Sequence, residues 1–158
     1  MENRLENKNT NNPDVWTAIQ RLQKSIAAGG IDPKLPALVH LRVSQINNSS
    51  ACLHASVSEG KRAGDTDERL HNVAAWREAP FYSDSERAPL ALAEAATRLQ
   101  DGVVGVTDEI WEEVNTYFTE EQIGAINLEI ALTNFFNRTI KEPAGQAWGR
   151  TRRTGGGP

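Results

Sequence analysis

The side chain best suited to chemistry in this sequence is the thiol of Cys52, the only cysteine of the chain. It follows Ser49 and Ser50, and either serine can cap a helix by accepting a hydrogen bond from a backbone N–H of the first turn. A cysteine in that turn lies near the positive end of the helix dipole, which favours the thiolate over the thiol. The alternative interpretation is a small apolar side chain packed in a helical core.

Three residues that follow Cys52 bear on its chemistry. Ser56 lies four residues later and therefore shares a helix face with the thiol, whereas His54, two residues later, points away from that face. Glu59 lies seven residues after Cys52, two turns along the same face. It could position a proton, but we predict a solvated carboxylate in preference to that role.

Charged residues on other predicted helices are further candidates. We predict that His40 and Arg42 occupy solvated or ion-paired surface positions in preference to functional ones. Glu94 falls within an apolar helix face, where a structural ion pair competes with a catalytic role. A pocket lined by Arg42, His54 and Arg77 would instead provide cationic groups for a substrate carboxylate.

Apolar periodicity predicts an all-α domain of six or seven helices with no convincing strand. The first helix opens at Pro13 and ends before Gly29, and the cysteine-bearing helix runs to about Ala63. The remaining starts carry capping residues, which are Asp32, Asp65, Ser83, Thr107 and Thr119. Large apolar residues predicted to be buried include Trp16, Trp76, Trp111 and Phe135.

Composition indicates one domain of ordinary size in 158 residues, with a hydrophobic fraction of 39% and a net charge of −4. We predict a disordered polar leader over residues 1–12, a helical domain over 13–140 and a flexible basic tail over 141–158. The acidic body argues against nucleic-acid binding despite the arginines of the tail. Without a signal peptide or membrane span, we expect a cytoplasmic protein with no membrane partner, no cofactor and no metal.

Several segments together resemble the carboxymuconolactone decarboxylase and alkylhydroperoxidase D (AhpD-like) family. They are Val-Ser-Gln-Ile-Asn at 43–47 before the cysteine helix, Gly-Asp-Thr-Asp-Glu-Arg-Leu at 64–70, Ala-Ala-Trp-Arg-Glu-Ala-Pro-Phe at 74–81, Glu-Arg-Ala at 86–88, Glu-Ala at 94–95 and the polar cluster at 134–138. The resemblance spans roughly residues 15–138. It implies an AhpD-like helical arrangement and a homo-oligomer, trimeric or hexameric.

The motif that gives this family its peroxidase activity is depleted here. It consists of Cys-x-x-Cys with a His four residues later and a Glu twelve residues before the first Cys. The resemblance places Cys52 at the peroxidatic position, Ser49 at the lost Cys, Ser56 at the lost His and Ala37 at the lost Glu. Ser49 cannot form the disulfide that closes the usual cycle, and the relay that activates the thiol is expected to be absent.

Three functional hypotheses follow, in order of preference. The first is an oxidoreductase of the alkylhydroperoxidase, peroxiredoxin-like antioxidant type, with activity weak or lost. Its catalytic candidates are Cys52, Ser49 and Ser56, and an external thiol would act as reductant. The second is a non-catalytic scaffold or binding protein. The third is a lactone-acid decarboxylase, which needs no cysteine pair but requires cationic groups and a proton donor.

Overall fold

A computed structural model describes residues 12–139, and every regular element in this range is a helix. The α-helices are α1 (Pro13–Ala28), α2 (Lys34–Ile46), α3 (Ser50–Arg62), α4 (Asp67–Asn72), α5 (Asp84–Thr97), α6 (Asp108–Tyr117) and α7 (Glu120–Thr139), with a 3₁₀ turn at Val73–Ala75. The all-α prediction is confirmed. The predicted leader up to residue 11 and the predicted tail lie outside the described residues.

The capping residues predicted at Ser83 and Thr119 are confirmed, whereas Thr66 in place of Asp65 caps α4 and Thr107 makes no capping hydrogen bond. Asn12 Oδ1 accepts a hydrogen bond from Asp14 N at 2.9 Å at the start of α1. Ser83 and Glu86 form a reciprocal capping box at the start of α5. Thr119 and Gln122 do the same before α7, with Thr119 N donating to Gln122 Oε1 at 3.0 Å. These local contacts fix where the helices begin.

Helix α2 is the centre of the domain, because it packs against α3, α5 and α7 and buries most of its residues. Leu35, Val39 and Val43 face one apolar cluster shared with α5 and α7, while Leu38 and Leu41 face a second cluster beside Trp76. Helix α1 packs against α7. Within residues 12–139 no helix combines the length and apolar character needed to cross a lipid bilayer.

Some expectations about individual elements are wrong. Helix α4 ends at Asn72 and a 3₁₀ turn follows it, and Arg87 donates hydrogen bonds to the carbonyls of Trp76 and Ala79 in the turns beyond. Trp111 is 43% exposed and Phe135 is 42% exposed. Trp16 is also exposed, at 40%. Periodicity grouped these three rings with the apolar faces but did not show which neighbours would cover them.

Two glycines provide a matched test of helix packing. A Cβ added at Gly29 would lie 2.5 Å from Ala125 Cβ, whereas a Cβ at Gly124 would meet nothing within 4 Å. We expect Gly29→Ala to lower the free energy of unfolding by about 1–3 kcal/mol, because α1 and α7 must separate. Gly124→Ala should raise it by up to about 1 kcal/mol, since alanine favours an exposed helix interior. Urea unfolding measures both, and equal effects of the two substitutions would contradict the packing described here.

Candidate active site

Cys52 lies in the first turn of α3 and is 7% exposed. Ser49 occupies the N-cap position with an extended backbone, but its side chain makes no capping hydrogen bond. The hydroxyl is near enough to Cys52 to help lower the pKa of the thiol. The predicted helix start is therefore present, but without the predicted serine cap.

His40 of α2 is the neighbour that most changes the thiol. Its Nδ1 atom lies 3.0 Å from Glu59 Oε2 of α3. Its Nε2 atom is buried and has no partner in hydrogen-bond geometry among residues 12–139. The imidazole is nevertheless near enough to Cys52 to change the pKa of the thiol. We conclude that Nε2 and Sγ are adjacent but not fully aligned, as is common for catalytic pairs without bound substrate.

The two partners shift each other's pKa in opposite directions. Burial alone lowers the pKa of His40, but interactions with Cys52 and Glu59 outweigh it and raise the pKa to about 9. Burial alone raises the pKa of Cys52, but interactions with His40, Ser49 and Asn137 outweigh it and lower the pKa. Between these two pKa values the pair is an imidazolium beside a thiolate, the reactive form of cysteine.

Helix α7 completes the surroundings of this pair. Asn137 interacts with the thiol, donates from Nδ2 to Ser44 Oγ at 3.2 Å and accepts from Asn47 Nδ2 at 2.9 Å. Glu129 faces His40 and Glu59, and burial raises its pKa. The sulfur is therefore buried among polar side chains, not in a hydrocarbon core.

Ser56 and Ala37, the other two positions mapped from the motif, are not among the groups that change the pKa of the thiol. Ser56 is fully buried and donates from Oγ to the carbonyl of Leu53 at 2.9 Å. Ala37 is buried in α2, and His54 is exposed. The Ser56 hydroxyl thus hydrogen-bonds within its own helix, and within the described residues no hydrogen bond joins it to the sulfur. A catalytic role for Cys52, Ser49 or Ser56 stays a prediction.

The sequence reasoning missed the relay formed by His40 and Glu59. His40 and Arg42 are buried, at 9% and 8% exposure, so the prediction of surface positions is wrong, although both are ion-paired. Glu59 keeps 45% of its side chain exposed while it contacts His40. A signal was present: His40 lies three residues after Ala37, and Glu59 three residues after Ser56. Each therefore lies one helical turn beyond the motif position, on the same face.

A second buried cluster surrounds Glu94 of α5. Arg42 donates from Nε to Glu94 Oε1 at 2.7 Å, and Trp76 Nε1 donates to the same oxygen at 3.1 Å. Arg77 and Arg98 donate to Oε2 at 2.5 and 3.0 Å. Arg42 and Arg77 do converge, but on this carboxylate, and exposed His54 is not among the groups that bind it. Glu94 therefore forms ion pairs, one of the two alternatives that the sequence left open.

The pH dependence of Cys52 alkylation tests the imidazolium–thiolate pair. In the folded protein, the rate with iodoacetamide should rise through an inflection below the ordinary pKa of a cysteine thiol. We expect His40→Gln to move this inflection upward, because burial then acts without the opposing imidazolium. His71→Gln, at an exposed histidine of α4, is the matched control. An inflection that stays in place in His40→Gln would show that the imidazole does not act on the sulfur.

Acid unfolding tests the Glu94 cluster. Burial alone raises the pKa of Glu94, but hydrogen bonds from Arg77, Trp76 and Arg42 lower it to about 2. The cluster therefore stabilises the fold above the ordinary carboxyl pKa, and this contribution, roughly 3 kcal/mol, is lost as pH falls towards 2. Urea unfolding of Glu94→Gln should show a lower stability at pH 7 and a flatter decline in acid.

The exposed residue Glu120 supplies the control for this comparison. Glu120→Gln should follow the wild-type profile. Parallel acid profiles for wild type and Glu94→Gln would mean that the buried carboxylate does not contribute to the acid sensitivity of the fold.

Comparison with known proteins places this site in a family. The model of the carboxymuconolactone decarboxylase family matches residues 13–95. Protein YdfG of Bacillus subtilis, itself uncharacterized, is 30% identical over 126 residues, which cover 80% of this chain and 84% of YdfG. Protein YnjA of Escherichia coli, also uncharacterized, is 30% identical over 118 residues, 72% of this chain and 63% of YnjA.

Solved structures agree with the sequence comparisons. A protein of Agrobacterium tumefaciens described as a putative antioxidant defence protein AhpD has a TM-score of 0.76 and 27% identity, covering 87% of this chain and 92% of that one. The debrominase Bmp8 has a TM-score of 0.70 and 26% identity, covering 80% and 67%. A cysteine-to-alanine variant of Bmp8 was solved with 2,3,4-tribromopyrrole. The family model matches more than half of this chain, and the chain has an AhpD-like helical fold around the thiol. The chain therefore belongs to the carboxymuconolactone decarboxylase family.

Proposed function

We propose that this protein is a thiol-dependent oxidoreductase of the AhpD-like type, in which Cys52 reduces a peroxide with help from His40 and Glu59. The observation that carries the proposal is a buried thiol whose pKa is lowered by a nearby imidazole, the other ring nitrogen of which lies 3.0 Å from a carboxylate. A nucleophile, a base and an orienting acid are the parts that nucleophilic catalysis needs. Their presence argues against the scaffold hypothesis, which rested on a missing relay.

The chemistry divides into two balanced half-reactions. The Cys52 thiolate attacks the outer oxygen of the hydroperoxide, an S–O bond forms as the O–O bond breaks, and His40 gives its proton to the leaving alkoxide. The resulting sulfenic acid reacts with an external thiol to give water and a mixed disulfide. A second external thiol then releases the Cys52 thiolate and a small-molecule disulfide.

An external reductant follows from the residue at position 49. Within residues 12–139 Cys52 is the only cysteine, and the hydroxyl of Ser49 cannot form a disulfide with it. Ser49 is instead proposed to hold the thiolate by hydrogen bonding. Ser56 has no part in this cycle.

A second candidate function, reductive dehalogenation, is favoured by the similarity to the debrominase Bmp8. A thiolate can take bromine from a ring carbon, which then receives a proton. Two external thiols restore the sulfur and yield their disulfide and hydrogen bromide. The same three residues would serve, so the substrate alone distinguishes the two candidates. The lactone-acid decarboxylase is less well supported, because it requires a proton donor beside the arginines, and Glu94, with a pKa of about 2, is deprotonated near neutral pH.

The proposal also includes self-association into a trimer or hexamer, which the family resemblance implied. Exposed apolar side chains on α1 and α7 support it, namely Trp16, Leu128 and Phe135. Light scattering of the purified protein would decide it. A cytoplasmic location likewise stays a prediction.

Peroxide turnover tests the proposed activity. With tert-butyl hydroperoxide as substrate and dithiothreitol as external thiol, wild type should consume peroxide faster than Cys52→Ala. We expect His40→Gln to lower the rate about 100-fold, as for loss of a general acid. Glu59→Gln should lower it less, about tenfold, because this carboxylate is half exposed.

Exposed residues of the same types provide the controls for this assay. His71→Gln and Glu68→Gln should retain the wild-type rate. A parallel assay replaces the peroxide by 2,3,4-tribromopyrrole and measures released bromide, and turnover there alone would favour the dehalogenase. If Cys52→Ala matches wild type in both assays, thiol catalysis is excluded.

A further inference from the structure

An open cleft of about 280 Å³ lies beside Glu94, at the surface formed by α5 and the segment that follows it. Its polar lining residues are Arg77, Glu94, Arg98 and Gln100. Val103, Val104 and Ile110 are among its apolar lining residues. The cleft lining includes none of the thiol-site residues described above.

The positive charge around Glu94 exceeds what one carboxylate neutralises. Arg42, Arg77 and Arg98 all pair with it, which leaves an excess of two positive charges in the cluster. Buried Arg42 faces inward, but the side chains of Arg77 and Arg98 are 59% and 50% exposed. The excess charge is therefore presented at the cleft, where an anion would be attracted and Glu94 would repel it little.

The two exposed guanidinium groups also have unused hydrogen-bond donors. A guanidinium carries five N–H donors, and within residues 12–139 the guanidinium hydrogen bonds of Arg77 and Arg98 go to Glu94 alone. Arg77 is further positioned by stacking over the Trp76 ring at 4.2 Å. The donors are thus held in place before any ligand arrives, which lowers the entropy cost of binding one.

Apolar side chains at the cleft are unusually exposed. Val103 and Val104 are 61% and 75% exposed, and neighbouring Leu99 is 71% exposed. Large apolar side chains exposed next to spare cationic donors suit a ligand that has one anionic end and one apolar end. Neither feature alone would indicate that ligand class.

We propose that this cleft binds a small amphiphilic anion, a carboxylate carrying an apolar chain or ring. Its carboxylate contacts Arg77 and Arg98, and its apolar part covers Val103, Val104 and Ile110. The inference goes beyond the thiol chemistry and does not depend on it, because the two sites share no side chain.

Titration with octanoate, observed by ¹H–¹⁵N NMR, tests the proposal. The indole N–H of Trp76 donates to Glu94 and is a local reporter, assigned by loss of its signal in Trp76→Phe. We expect its signal to shift saturably, while the indole signal of Trp16 on α1 stays in place. Octanol, which lacks the charge, should give no saturable shift, and acetate, which lacks the chain, should bind more weakly than octanoate.

Two variants separate the charge from the apolar wall. Arg98→Gln should weaken octanoate binding about fivefold or more while the fold survives, because Glu94 keeps Arg42, Arg77 and Trp76 as donors. Val104→Ser should weaken octanoate but leave acetate unchanged. Arg62→Gln, an exposed arginine at the end of α3, is the charge control and should bind as wild type.

The proposal is overturned by either of two outcomes. One is the absence of a saturable shift of the Trp76 indole with octanoate. The other is equal octanoate affinity in Arg98→Gln and wild type. Peroxide turnover by Arg98→Gln should equal that of wild type, so failure of this binding site leaves the thiol proposal standing, and failure of the thiol proposal leaves this one standing.

Discussion

The structure depends on the burial of two cationic side chains from one helix. His40 and Arg42 are two residues apart on α2 and project to different sides of it, and both are more than nine-tenths buried. Removing the partner of a buried charge typically costs about 3–5 kcal/mol, so each side chain requires a carboxylate. Glu59 of α3 serves His40, and Glu94 of α5 serves Arg42. Charge pairing therefore fixes the position of α2 between its neighbours together with the apolar core.

The two pairs are equivalent in placement but opposite in chemistry. Glu94 has its charged form stabilised by four donors, and with a pKa of about 2 it does not exchange protons near neutral pH. His40 has a pKa raised to about 9 and lies near a thiol whose pKa is lowered, so this pair titrates in a pH range where Glu94 stays charged. Helix α2 thus carries a permanent ion pair on one side and a titrating pair on the other. The Arg42–Glu94 pair stabilises the fold, and the His40–Cys52 pair is the one proposed to take part in catalysis.

The sequence predicted the helices well and the site poorly, for related physical reasons. Caps such as Ser83 with Glu86 act within one turn, so they were visible in the sequence and were confirmed. The relay depends on contacts between helices, and mapping the motif position by position placed its missing members at Ala37 and Ser56. Because side chains three residues apart lie on one helix face, His40 and Glu59 can reach the same space from the next turn. Trp111 was misjudged for the same reason, since periodicity defines a helix face but not the neighbour that covers it.

The exposure of Glu59 decides how the proposed cycle could be completed. Reduction of a peroxide uses the proton of His40, and His40 must recover one before the next turnover. His40 and Cys52 are both buried, whereas 45% of the Glu59 side chain is exposed and its Oε2 atom lies 3.0 Å from His40 Nδ1. Glu59 is therefore the member of the relay placed to exchange protons with water. The sequence pattern predicted that Glu59 is solvated, and its side chain is indeed half exposed. In the proposed cycle this exposure lets Glu59 pass protons between water and the buried His40.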